Sequence, residues 1–125
     1  MNDELRRICA IHIQIKRAYE KPLLDDGIRI LLDRLWPRGL TKKAAGVDKW
    51  AKEIAPSTQL RKWFAHDPKH WKEFRRRYTA ELQEKSEKLE EIRRLARENP
   101  ITLVYGARDE VHNGAVVLRE LLIRK

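Results

Sequence analysis

The sequence predicts an α/β fold: a single three-layer domain in which a small, predominantly parallel sheet is flanked by helices. Three observations predict it. Short β-favouring runs lie towards both ends of the chain, helical periodicity fills much of the stretch between them, and 125 residues suit one sheet covered by helices. Parallel neighbours need crossover connections, and alternating strands and helices supply them through short loops.

Residues 1–7 read as a flexible, charged lead-in and residues 8–125 as the domain. Ile11, Ile13 and Ile15 alternate with His12 and Gln14, so Cys9–Ile15 reads as a strand with one better-buried face. Pro22 and the turn signal Asp25-Asp26-Gly27 lead into Ile28–Leu32, a short apolar run that fits a central strand. Its carboxyl end delivers Asp33 and Arg34, and polar residues at that edge of an open α/β sheet face a crevice. Trp36-Pro37-Arg38-Gly39 then breaks regular structure, because proline fixes its own φ, lacks a donor and restricts its predecessor.

Thr41 caps a short helix over Lys42–Ala45, and Val47–Ala51 reads as an extended connection or brief strand. Ser57 caps a helix carrying Leu60, Trp63 and Phe64. Asp67-Pro68, an acidic cap followed by proline, opens a longer one in which Trp71, Phe74, Tyr78 and Leu82 repeat at helical spacing. A break near Gln83–Glu87 separates it from a second apolar set, Leu89, Ile92 and Leu95; core packing accounts for all these aromatics. Asn99-Pro100 stops the helix, Ile101–Val104 forms a strand ending at Tyr105-Gly106, and Asp109 caps a final helix with Val111, Ala115, Leu118 and Leu122 on its apolar face.

Lysine and arginine number 28 against 19 acids, a formal charge of +9 that attracts phosphates, nucleic acid or an anionic surface, and that also serves simply as a solvated exterior. The one cysteine excludes an intramolecular disulfide and a cysteine-based zinc cluster. No apolar run reaches the length of a membrane span and the polar start lacks a signal peptide's apolar stretch, so the chain reads as cytoplasmic. The residues set no oligomeric state.

Asp33, Arg34, Trp36 and Arg38 place two guanidinium groups, a carboxylate and an indole in a stiff turn after a strand. A planar guanidinium grips carboxylate or phosphate through paired donors, and Asp33 is expected to orient an arginine; an Asp33–arginine pair that only pins the loop explains the same residues. Tyr105 and Asn113 bracket a glycine-containing loop before a helix start, where free N–H groups attract an anion, although Asp109 and Glu110 compete for that end. His112 in the first helical turn, and His66 beside Ser57 and Arg61, are candidates for acid-base chemistry, with Asp33 as the accompanying carboxylate. Ser57 and Asp67 have a ready explanation as helix caps. The four histidines have no compact ligand spacing, so no metal is expected.

Two functional classes follow. In the first, an enzyme or binder holds a small phosphate- or nucleotide-like anion among Arg34, Arg38, Arg61 and the final helix start, with Tyr105 positioning it. In the alternative, Arg75, Arg76, Arg77, Arg93, Arg94 and Arg97 contact nucleic-acid phosphates, although Glu81, Glu84, Glu87, Glu90 and Glu91 interrupt that basic stretch.

Asp26-Gly27-Ile28-Arg29, Asp33 through Gly39, Ala55-Pro56-Ser57 with Leu60-Arg61, His66-Asp67-Pro68 with Trp71 and Phe74, and Thr102 through Tyr105 with His112-Asn113 together resemble the YeaO-like branch of domain of unknown function 488. The resemblance covers about Ile11 to Leu122 and implies a compact α/β fold with no known cofactor and no established activity. Relatives labelled winged-helix regulators do not fit a pattern without a recognition helix and wing. The ordering also distantly resembles rhodaneses and low-molecular-weight phosphatases, but Tyr105-Gly106 stands at the strand exit where those carry a cysteine, which disfavours a thiolate nucleophile.

Overall fold

The computed structural model of the chain describes residues 12–124. Alternating isoleucines put β1 at Ile13–Arg17, and the apolar runs further on give β2 (Ile28–Leu31) and β4 (Ile101–Tyr105). The predicted start of the first strand at Cys9 and the lead-in over residues 1–7 lie outside the described residues. β1 extends past its isoleucines because its charged end finds partners. Lys16 reaches the Asp26 carboxylate at 2.5 Å, and Arg17 donates to the carbonyls of Ala107 and Gly106 at 2.9 and 3.1 Å. The brief strand expected within Val47–Ala51 is β3, only Lys49–Trp50.

The described strands form one sheet in the order β1-β4-β2-β3, and every pairing is parallel. Ile13 lies opposite Ile101 and Arg17 opposite Tyr105, while Ile28 and Leu31 of β2 lie opposite Ile101 and Val104 on the other side of β4. β4 therefore has neighbours on both edges, which is why all five of its residues are buried.

Side-chain alternation assigns the two faces. Ile13, Ile30, Leu32, Ile101, Leu103 and Tyr105 face a large core built by α2 (Thr58–Phe64), α3 (Trp71–Gln83), α4 (Ser86–Glu98) and α5 (Gly114–Ile123). Leu31 and Val104 face the other way, against Trp36, Leu40, Val47 and Trp50 around the short α1 (Lys42–Ala45). The layers are thus unequal, four helices on one face and one helical turn on the other.

The thin face also carries a buried polar corner. Asp26 has no solvent exposure and sits between Lys16 and Arg29, whose guanidinium lies 2.8 Å away, while the Thr102 hydroxyl donates to the Asp26 carbonyl. Gly27 beside it has φ +65°, and a Cβ there would lie 2.0 Å from the Pro100 carbonyl oxygen, so only glycine fits.

The caps at Thr41, Ser57 and Asp67 form as expected, each accepting a backbone N–H, with Asp67 starting a single 3-10 turn, Pro68–His70, ahead of α3. The start of the last helix differs. Asp109 does not cap it: Asn113, in extended conformation, accepts the Val116 N–H, and α5 begins at Gly114. Asp109 instead closes a local turn by accepting the N–H groups of Val111 and His112. His112 and Asn113 therefore precede the helix, and Val111 is exposed instead of joining its apolar face.

Candidate ligand site

After β2 the chain leaves towards α1 on the thin face, whereas after the adjacent β4 it leaves towards α5 on the thick one. Neighbouring parallel strands whose exits diverge leave a crevice beyond their carboxyl ends. A cavity of about 440 Å³ lies there, between the residues after β2, those after β4 and the end of α2.

Asp33 forms its floor. One carboxylate oxygen, Oδ2, accepts the Gly106 N–H at 2.8 Å, joining the exits of β2 and β4, while the Asp33 carbonyl accepts the Trp50 indole N–H at 2.7 Å. A Cβ on residue 106 would stand 2.7 Å from that oxygen, so a side chain there would have to displace the Asp33 carboxylate. Burial raises the Asp33 pKa above the ordinary carboxylate value, and the Gly106 N–H and the charges of Arg61 and His66 offset only part of the rise. Among the described residues no arginine hydrogen-bonds this carboxylate, and a backbone contact stands in place of the expected orienting pair.

The arginines divide into two kinds. Arg34 donates through Nε to the Pro56 carbonyl and through Nη2 to the Ala55 carbonyl, both at 3.2 Å, and so ties the β2 exit to the segment before α2. Arg38 and Arg61 are exposed, line the same cavity, and make no side-chain hydrogen bond or ion pair among the described residues. Trp36 also lines the cavity; its indole donates to the Leu40 carbonyl at 2.6 Å and its ring meets Trp50 edge-on at 5.4 Å.

Helix α2 ends with two consecutive non-glycine residues at positive φ, Ala65 at 47° and His66 at 57°. This left-handed pair turns the chain back so that His66 joins the cavity wall beside Phe64, at a cost that non-glycine residues normally avoid. On the opposite wall the His112 Nδ1 lies 2.8 Å from Asp109 Oδ2, which leaves Nε2 as the ring nitrogen free of that contact, and the Trp71 ring packs edge-on against the imidazole. The His112 ring and the two backbone N–H groups hold the Asp109 pKa down to about 2.

The cavity therefore gathers Asp33, Arg34, Trp36, Arg38, Arg61, His66, Tyr105, His112 and Asn113 from segments far apart in sequence. Asn113 is buried with both side-chain polar atoms occupied, Oδ1 by the Val116 N–H and Nδ2 by the Asp109 carbonyl. Tyr105 is buried at the end of β4, and desolvation, with Glu110 adding to it, raises its pKa. Ser57 lies outside this lining: its hydroxyl caps α2 and donates to Glu81 at 2.6 Å. Sequence reasoning missed Phe64 and Phe74 as wall residues because helical spacing marks them only as core, and it missed Tyr19, whose hydroxyl donates to the Arg38 carbonyl. Among the described residues no three His, Cys, Asp or Glu side chains group to hold a metal, and no helix is long and apolar enough to cross a membrane.

Fold and cavity together define a small parallel α/β protein with an acid-floored, arginine-rimmed crevice at its strand ends. The chain belongs to the DUF488-N3i family, described as the inactive DUF488-N3 subclade, which it matches over residues 12–125. It is similar to the uncharacterised protein YeaO of Escherichia coli K12, with 42% identity over 90% of this chain and 97% of that one. It is also similar to the uncharacterised protein Rv3073c of Mycobacterium tuberculosis H37Rv, at 40% identity over 88% of this chain and 92% of the other. No solved structure matches it.

Proposed function

We propose that the strand-end cavity binds a small molecule through an anionic group, phosphate-like in chemistry, held by Arg38 and Arg61. The observation that carries this reading is the two guanidinium groups, Arg38 and Arg61, that make no side-chain hydrogen bond or ion pair among the described residues and line a crevice at the divergence of β2 and β4. Paired guanidinium donors suit a phosphate or carboxylate, and the cavity volume lies within the range of small-molecule sites. The family's description as inactive favours binding over turnover, so His66, His112 and Asp33 are read as ligand contacts in place of acid and base. A nucleic-acid role for the helical arginines has less support, because Glu73 pairs with Arg76 and Arg77, Glu120 with Arg75, and Glu90 with Arg93 and Arg97.

A thermal-shift titration with inorganic phosphate and adenosine monophosphate tests the reading. Wild type is expected to melt higher with ligand, by roughly 2–8 °C near saturation, since a ligand that binds only the folded state stabilises it by mass action. An Arg38→Gln/Arg61→Gln double variant is expected to fold normally and lose the shift. No shift for wild type with either compound at millimolar concentration overturns the assignment.

A further inference from the structure

The two oxygens of Asp33 have different surroundings. Oδ2 is committed to the Gly106 N–H, whereas Oδ1 has no hydrogen-bond partner among the described residues. Oδ1 is nevertheless not sealed: within the described structure the buried side-chain polar atom left without a partner is Nδ1 of His70, on another part of the surface. Asp33 lines the cavity, which leaves Oδ1 as its carboxylate oxygen without a hydrogen bond among the described residues, while Arg61 and His66 act on the carboxylate through space. Placing a carboxylate on the floor of an anion site works against simple anion binding, since it repels the charge that Arg38 and Arg61 attract. Apolar side chains, Leu35, Trp36, Pro37, Phe64 and Phe74 among them, line the same cavity. An isolated phosphate would leave most of about 440 Å³ unfilled.

We propose that the ligand is bipolar and of mononucleotide size, its anionic group at Arg38 and Arg61, its ring system against the apolar wall, and a hydroxyl or amine donor bonded to Asp33 Oδ1. This rests on the anion-binding reading above and adds to it a specificity residue: Asp33 selects ligands that bring a donor and rejects bare anions. Rejection arises because a donor-less molecule strips water from Oδ1 without replacing the hydrogen bond.

Calorimetric titration of the full chain at fixed salt, with four probes, tests the assignment. The probes are adenosine monophosphate, purine riboside monophosphate without the ring amine, the dideoxy analogue without free ribose hydroxyls, and inorganic phosphate. Wild type is expected to bind adenosine monophosphate at least ~10-fold more tightly than one of the two stripped nucleotides, the usual scale for a lost hydrogen bond to a charged group, and which one identifies the donor. Asp33→Asn keeps an oxygen for the Gly106 N–H, removes the repelling charge and turns an NH₂ donor to the cavity, so that preference should diminish while phosphate binds at least as tightly as to wild type. Equal binding of all three nucleotides by wild type overturns the proposal, as does an undiminished preference in a folded Asp33→Asn. The wild-type comparison decides alone if that variant does not fold. Phosphate binding without any gain for the nucleotides sinks the bipolar ligand but leaves the anion site standing, whereas no binding of any probe removes both.

Discussion

Asp26 and Asp33 flank β2 and are driven in opposite directions by their surroundings. Burial pushes Asp26 up, but hydrogen bonds from Lys16, the Leu23 N–H and Arg29 outweigh it and leave the carboxyl below its ordinary value. Its stabilising effect is therefore complete above the unfolded-state pKa and is lost as pH falls through the lower folded value. At neutral pH Asp26→Asn is expected to cost about 3–5 kcal/mol, because Lys16 and Arg29 lose their anion, and the deficit should shrink on acidification. Asp33 has the opposite sign: its raised value favours folding only at low pH and disfavours it as pH rises through the folded pKa, so Asp33→Asn should melt no lower than wild type at pH 7. Urea unfolding of both variants across pH checks the pair. The arginines divide on similar grounds. Arg34→Lys forfeits a fork spanning two carbonyls and should lose about 1–2 kcal/mol, whereas Arg38→Lys should melt like wild type and weaken only ligand response. The sequence marked both arginines equally, because nothing local distinguishes an arginine that meets backbone carbonyls brought from Ala55 and Pro56 from one that meets solvent.

Among the elements, what was legible was local. Thr41, Ser57 and Asp67 act through N–H groups two or three residues away, so their roles are written in the adjoining sequence. Asp109 and Asn113 were ambiguous for the same reason: each is a sound cap, and the choice fell to Asn113 because Asp109 spends its carboxylate on the turn and on His112. Ser57→Ala and Asn113→Ala are each expected to cost about 0.5–2 kcal/mol in chemical denaturation. The serine change should leave ligand response intact, since its partners are Leu60 and Glu81 and not the cavity. The left-handed Ala65-His66 pair had no sequence signal at all, because left-handed positions are normally announced by glycine or asparagine.

For the molecule as a whole, the parallel sheet and its strands β1, β2 and β4 were legible because each of those three carries its own apolar pattern, whereas the two residues of β3 carry none. The sequence brought Asp33, Arg38 and Tyr105 towards one edge because they end or follow strands. Arg61 and His66 arrive by another route, α2 packing against α3 until its end closes the crevice, which depends on contacts among Phe64, Trp71 and Phe74 that spacing alone does not join to a site. The strand order carries a consequence for biogenesis. β4 is the last of the four described strands to be synthesised, yet it lies between β1 and β2, which do not pair with each other. As the chain emerges from the ribosome, both earlier strands wait with unsatisfied backbone edges and exposed isoleucines until residues 101–105 arrive. Premature pairing of β1 with β2 would occupy the slot that β4 must enter, so a nascent chain stalled before Pro100 is expected to lack the folded sheet.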